Sequence, residues 1–344
     1  MQWIKDSKKI CLVFHIDADG ICSAYIIAKV IERIKGELPC LYALSSTYVN
    51  KNLRAKLKDY DLVIFTDLAV DSHPEAIREI AETSKVIIFD HHELTHNLNG
   101  PNVKHISTKM ETKRYYPCSY QVYNYFNKEM DLSDMDWIAA VGLIGDVGAK
   151  LYKNFVESTL KKYGMKKCKD PNYFDTELGE MAIIIGAARV YNKTKGALKA
   201  LKILLECESP KEFWEKTELL QKWRNKIQPY LDKNIKEFEK EAEKCKDVLI
   251  KRIKDPKYNI GSPLSSILSE RYPNKTIILV VDKGNIAKVH ARSKVRNLVE
   301  LLSKATSGLK NVSCGGHKQA AGASIEPSDV TKFIRNLKKE LGCK

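Results

Sequence analysis

The sequence predicts an α/β fold in two domains: an N-terminal domain built on a parallel sheet and a smaller C-terminal α/β domain, joined by a long helix. Three observations carry this. Short apolar runs alternate with helical spacings through residues 10–110, the pattern of strand–helix units that place helices on both faces of a parallel sheet. A Lys- and Glu-dense segment from about Pro210 to Lys246 lacks a wide apolar face, which suits a connector. Residues 248–341 then return to strands and helices around a hairpin signature. A length of 344 residues, at ~100–200 per domain, agrees with two domains. A hydrophobic content of 44% can bury a sizeable core and excludes a wholly disordered chain.

Taken in order, Ile10–Ile16 is an apolar run of buried-strand type, and after Gly20 apolar residues recur at Ala24, Ile27, Ala28, Ile31 and Ile34, a helical spacing. Leu41–Leu44, Leu62–Phe65, Val86–Phe89 and Val103–Ile106 are further strands, with helices at Asn50–Leu57 and Pro74–Ala81. Pro117 to Cys207 is mostly helical, interrupted by a polar, lysine-rich stretch from Lys161 to Asp175. In the charged segment Pro229 marks an expected kink or break, because proline removes a helical N–H donor. Val248–Ile253, Ile277–Val281 and Ile286–Ala291 read as strands, the last two joined by an Asp282-Lys-Gly-Asn turn. Helices are expected at Pro263–Arg271, Asn297–Ala305 and Pro327–Leu341, with a Gly-rich segment before the last. The domains are thus 1–208, a connecting helix 209–246, and 247–344.

Composition narrows the function. The longest apolar stretches, such as Met181–Gly186 and Thr276–Val281, are far short of a membrane span, and no secretory leader is expected. The nine cysteines are scattered and never form C-x-x-C, so neither a disulfide framework nor a zinc ribbon is expected and the reading is a reducing cytoplasm. The net charge of +15 is unevenly spread. Residues 1–150 carry 18 basic and 20 acidic side chains, whereas residues 251–344 carry 19 and 7. A near-neutral first half and a basic last third point to chemistry in one place and polyanion binding in the other; a lysine-coated surface is the alternative, and charge alone leaves the two even.

Chemistry concentrates at the ends of the expected strands. The first strand runs into His15-Ile-Asp17-Ala-Asp19-Gly20, the third ends at Asp67 and the fourth at Asp90-His91-His92. In open parallel sheets ligands bind beyond the carboxyl ends of the strands, so these residues meet along one edge. Each has an ordinary alternative: Asp-x-Asp-Gly is a common turn, and an Asp at a strand end often caps the next helix. Gathered together, however, such carboxylates need cations, because burying them unpaired costs many kcal/mol. Hard carboxylates with a few imidazoles suit a pair of divalent ions, Mn²⁺ first, with Mg²⁺ or Co²⁺ as alternatives.

The chain resembles the DHH phosphoesterase superfamily in six motifs taken in order: His15-x-Asp17-x-Asp19-Gly20, Asp67, Asp90-His91-His92, Gly145-Asp146, His290-Ala-Arg292-Ser293 and Ser313-Cys-Gly315-Gly316-His317-Lys-Gln-Ala-Ala321-Gly322. The resemblance implies that His15 and Asp17 hold one metal, and Asp19, His91 and Asp146 the other, with Asp67 bridging. It places His92 beside the scissile phosphate as a catalytic group and Asp90 behind a histidine. It makes Arg292, Gly315, Gly316 and His317 the substrate-binding residues of a DHH-associated C-terminal domain. Relatives that cut small phosphodiesters often carry their first histidine four residues before the first aspartate; here that position is Val13, and His15 stands two before Asp17, as in RecJ-like nucleases.

The resulting expectation is a RecJ-like, Mn²⁺-dependent exonuclease of single-stranded RNA or DNA that releases mononucleotides, with 3′→5′ polarity favoured by similarity to short archaeal relatives. Its context would be replication, repair or RNA processing, with replication proteins as further partners and no membrane. A phosphodiesterase of short oligonucleotides or cyclic dinucleotides is the runner-up, and a non-catalytic replication scaffold the third reading. Tyr115 and Tyr116 are candidates to stack bases, although such aromatics more often take core or rim positions.

Overall fold

The structure, a computed structural model, describes residues 1–111, 115–166 and 169–343. It comprises two compact units, Met1–Arg224 and Asn225–Lys344.

The first unit is built on five parallel strands in the order β2-β1-β3-β4-β5: β1 (Ile10–His15), β2 (Cys40–Leu44), β3 (Leu62–Thr66), β4 (Lys85–Asp90) and β5 (Val103–Ser107). Alternation sorts its core into two layers. Leu12, Phe14, Ile64 and Phe89 face helices Ala18–Lys35, Asp136–Gly145 and Glu177–Leu204. Cys11, Val13, Val63, Phe65, Val86 and Ile88 face helices Lys51–Leu57 and Pro74–Ala81 through Leu53, Leu57, Ile77 and Ile80. A sheet covered on both faces explains the near-continuous apolar strands, each fully buried large side chain contributing ~1.5–3 kcal/mol. The register aligns Phe14 with Thr66 and Thr66 with Phe89, so His15, Asp67 and Asp90 emerge side by side. Strand order reverses between β1 and β3, the switch point where such sheets bind ligands.

Helix Asp136–Gly145 is buried nearly all round and packs closely on helix Ala18–Lys35. Its glycines allow this: a Cβ on Gly145 would lie 2.7 Å from that of Ala18. The close packing delivers Asp146, the residue after the helix, to the same edge.

The second unit holds a mixed six-stranded sheet, ordered β10-β11-β9-β8-β7-β6: β6 (Glu243–Cys245), β7 (Val248–Lys254), β8 (Thr276–Lys283), β9 (Ile286–Ser293), β10 (Ser313–His317) and β11 (Ala320–Ile325). Helices Leu298–Ala305 and Val330–Leu341 bury one face through Leu298, Leu302, Phe333 and Leu337. Helix Gly261–Arg271 lies against β8 and β9 on the other.

Three expectations change. The charged segment is two helices, Pro210–Lys216 and Glu218–Glu241, and the break falls at Thr217 rather than Pro229, which sits inside the second helix. The division between the units lies within that helix, and its narrow apolar stripe of Ile227, Leu231, Ile235 and Phe238 is buried. The Gly-rich segment forms β10 and leads into β11; glycine and alanine carry none of the β-branched signal that reveals a strand. Finally, Cys245 and Cys343 form a disulfide across 98 residues, a pairing that no spacing rule reaches. No described helix is long and apolar enough to cross a membrane.

Candidate metal centre and anion-binding residues

The Asp-x-Asp-Gly segment is both a turn and a donor site. Asp17 caps helix Ala18–Lys35, its Oδ1 accepting the Gly20 N–H at 3.0 Å, while Oδ2 lies 3.0 Å from His15 Nδ1. Gly20 is required because a Cβ there would collide with the His15 carbonyl. Asp19, the next acid, is buried; it accepts the N–H groups of Cys118 at 2.6 Å and Ser119 at 3.0 Å, and the Ser119 hydroxyl, at the start of helix Cys118–Phe126. Oδ1 takes both Ser119 bonds, while Oδ2 accepts only the Cys118 N–H and keeps a lone pair for a further partner.

Asp67 is central. It follows β3 in a left-handed conformation (φ 59°), and its N–H donates to the Phe89 carbonyl at 2.9 Å, pinning it to β4. It is 3% exposed, and its two oxygens diverge: Oδ2 is 3.3 Å from His15 Nδ1 and Oδ1 is 3.1 Å from His91 Nε2. His91 Nε2 also lies 3.5 Å from Asp146 Oδ2. The His92 ring is held by Asp90, with Nδ1 2.7 Å from Oδ1. Potential ligand atoms therefore cluster within 4.8 Å in the triads His15–Asp17–Asp67 and Asp19–His91–Asp146, and in a third, Asp67–His91–His92. A lone acid at a strand end need not be a helix cap; here the backbone turns it inward.

The electrostatics fit divalent cations. Burial pushes Asp19 well above the usual carboxylate range, with Asp67 and Asp146 adding repulsion. Burial also raises Asp146, to about 6, against the pull of His91. The imidazoles go up despite burial, which opposes their charging: Asp17 and Asp67 lift His15 to about 10, and Asp146 and Asp67 lift His91 well above its ordinary value. Asp17 is held well below the carboxylate range, against burial, chiefly by His15. Without metal, then, protonated histidines supply the counter-charge for crowded acids. A set of carboxylates and imidazoles with no thiolate matches hard or borderline divalent ions; the nearby Cys118 thiol is pushed well up by burial.

Two neighbours escape a reading based on acids and histidines. Tyr115 donates its hydroxyl to the Asp146 carboxylate and to its carbonyl (2.9 Å), and its ring meets His91 edge-on at 5.3 Å between centroids. Arg189 Nη1 stands 3.9 Å from Asp17 Oδ2. Its signal was available, as the single charged residue in the otherwise apolar run Met181–Val190. Tyr116 instead packs among Tyr120 and Tyr152.

In the second unit the register joins the two C-terminal motifs. Ala320 of β11 pairs with His317 of β10 on one side and Arg292 of β9 on the other; Gly322 likewise pairs with Gly315 and His290. Gly316 has φ 134°, and a Cβ there would lie 2.6 Å from the Ala321 Cα, so only glycine fits this strand crossing.

Residues 9–145 match the DHH family, N-terminal domain, and residues 246–342 match the DHHA1 domain. Among solved structures, RecJ in complex with Mn²⁺ from Thermus thermophilus is 18% identical with a TM-score of 0.76, over 99% of this chain and 53% of that one. Exonuclease RecJ bound to manganese is also 18% identical, with a TM-score of 0.72 over 99% of this chain and 92% of that one. The pGpG-specific phosphodiesterase PggH from Vibrio cholerae is 13% identical, with a TM-score of 0.54 over 97% and 99% of the two chains. This chain thus spans about half the length of the Thermus RecJ. At these identities the likeness is one of fold. No curated protein sequence matches the chain.

Proposed function

This chain belongs to the DHH family, with a DHHA1 domain at residues 246–342, and on that premise we propose that it is a metal-dependent exonuclease of single-stranded nucleic acid. The observation that carries the reading is the pair of triads at the sheet edge with Asp67 between them: His15 and Asp17 on one side, Asp19, His91 and Asp146 on the other. These residues would hold two divalent ions, Mn²⁺ before Mg²⁺ or Co²⁺. When bound, such ions supply a nucleophilic water at neutral pH and neutralise charge on the phosphoryl oxygens.

The remaining roles fall to the chain itself. Asp90 fixes the His92 ring through Nδ1 and, against burial, raises its proton affinity, which makes Nε2 suited to protonate a leaving oxygen. Arg292 and His317 would grip a terminal nucleotide's phosphate or sugar, while Gly315 and Gly316 let the ligand approach the backbone. The basic balance of residues 251–344 supports a polymeric substrate. Digestion would release mononucleotides, with 3′→5′ polarity.

A second reading, hydrolysis of dinucleotides, is favoured by the likeness to the pGpG-specific enzyme. A scaffold role is disfavoured by the intact donor set. The deciding experiment uses single-stranded RNA and DNA oligonucleotides labelled at either end, with Mn²⁺ or EDTA. A descending ladder on the 5′ label with immediate loss of the 3′ label is the expected result, and the mirror image would reverse the polarity. Hydrolysis of dinucleotides without cleavage of either polymer would replace the proposal with the second reading.

A further inference from the structure

We propose that the open face of β9, β11 and β10 is a track for the sugar–phosphate backbone of single-stranded nucleic acid, reaching past Arg292 and His317 to a further row formed by Lys288, Ser324 and Ser313. The proposal rests on the exonuclease reading and extends it to the nucleotides behind the terminal one.

The register builds the track. Strict alternation sends Ala287, Val289 and Ala291 of β9 into the core and leaves Lys288, His290 and Arg292 on the opposite face. On β11, Ala321, Ala323 and Ile325 are buried, whereas Ala320, Gly322 and Ser324 are half-exposed on that same face. Pairing then lays out three rows across the strands: Arg292–Ala320–His317, His290–Gly322–Gly315 and Lys288–Ser324–Ser313. Residues two apart on a strand repeat every ~6.8 Å, so the rows step along the sheet at the scale of successive nucleotides in an extended strand.

The floor is built to be approached. Its β11 positions are Ala, Gly and Ser, and a Cβ added at Gly315 would meet nothing within 4 Å. Helix Gly261–Arg271 covers this face only as far as β9, where Gly261 abuts the His290 ring and Ser266 Oγ lies 3.4 Å from Arg292 Nε. Beyond it, β11 and β10 carry no helix on this side among the described residues, and all five residues of β10 are exposed. Hydroxyls at Ser313 and Ser324 offer donors to phosphate oxygens, and Lys288 closes the row with a cation. The sign of the whole C-terminal segment, 19 basic against 7 acidic side chains over residues 251–344, selects a polyanion.

The test measures binding of the full-length chain to fluorescein-labelled single-stranded octamers in EDTA, by anisotropy, across a range of NaCl concentrations. Lys288→Ala removes one phosphate contact. It is expected to weaken octamer binding by a factor of ~5 at 0.1 M salt and to flatten the log–log salt slope by ~0.7, the single-strand value per contact. Ser324→Asp, which puts a like charge on the floor, should weaken binding further. Lys339→Ala, on the helix that covers the other face, makes the same charge change and should leave the slope unchanged. Circular dichroism melts confirm that each variant is folded. If Lys339→Ala flattens the slope as much as Lys288→Ala, or if the Lys288 and Ser324 variants bind as tightly as the parent, the track is overturned while the exonuclease reading stands. If the parent neither binds nor cuts octamers yet hydrolyses dinucleotides, both fall together.

Discussion

Replacing Asp67 by asparagine isolates the shared ligand. The residue sits at φ 59°, a conformation that Asp and Asn tolerate and most side chains resist, so Asp67→Asn preserves the backbone while removing the charge. The carboxylate makes two contacts that the amide cannot both reproduce, at 3.3 Å to His15 and 3.1 Å to His91, because its NH₂ must face one of them. Each of the two ions that Asp67 would bridge exchanges an anionic oxygen for a neutral amide atom, and at ~1.5–3 kcal/mol for each, the size of a charge-assisted bond, the loss is about 3–6 kcal/mol. At 1.36 kcal/mol per decade, that is about 10²–10⁴-fold in Mn²⁺ affinity and at least as much in turnover. Isothermal titration with Mn²⁺ measures the first and oligonucleotide digestion the second. Asp67→Ala should lose metal to the same degree and, in addition, about 1–2 kcal/mol of stability, since alanine resists the left-handed conformation. Mn²⁺ affinity within threefold of the parent in Asp67→Asn would refute the bridging assignment.

Further outcomes follow from the same geometry. Because His15 titrates at about 10 and His91 well above its ordinary value, both carry protons at neutral pH in the metal-free protein, and metal must displace them. Mn²⁺ affinity should therefore rise with pH, by at most ~tenfold per unit for each proton released, with Asp146 contributing only below about 6; titrations in buffers of different ionisation enthalpy count the protons. His92→Ala should lower kcat by about 10²–10⁴-fold with Mn²⁺ binding retained, and Asp90→Asn, which loosens the ring, should cost less. Arg292→Ala or His317→Ala should raise KM while Mn²⁺ titrations stay at the parent value, because these residues lie in the unit without the metal ligands. Reduction of Cys245–Cys343 should destabilise the second unit by up to ~4.7 kcal/mol, the chain-entropy value for a loop near 100 residues; thermal melts with and without dithiothreitol report it.

The first unit was legible because its signals are redundant. Each strand is an apolar run, and the residue that carries chemistry follows directly: His15 after β1, Asp67 after β3, Asp90 to His92 at the end of β4. Parallel topology does the rest, so that sequence order and strand order together imply the cluster. What stayed hidden depends on contacts between distant residues or on side chains with little to say. The three hydrogen bonds that orient Asp19 come from residues about 100 positions away. Tyr115 is defined by its bond to Asp146, 31 residues on. The strands β10 and β11 are written largely in Gly, Ala and Ser, which signal no strand, and their partner β9 gives them their meaning. The extent of the charged helix misled for a related reason: Pro229 disturbs only local hydrogen bonding, whereas burial of Ile227, Leu231, Ile235 and Phe238 secures the helix on either side of it.

The disulfide has a mechanical consequence. Cys245 and Cys343 flank residues 246–342, and they join β6, at one border of the six-stranded sheet, to the chain beyond the last helix. Tension applied between the helix entering this unit and its C-terminus would pass through the sulfur bridge and bypass the residues it encloses. The strands β9, β10 and β11 would remain slack while the rest of the chain is stretched, and a protease cut in any loop between the two cysteines would leave both pieces tethered in register.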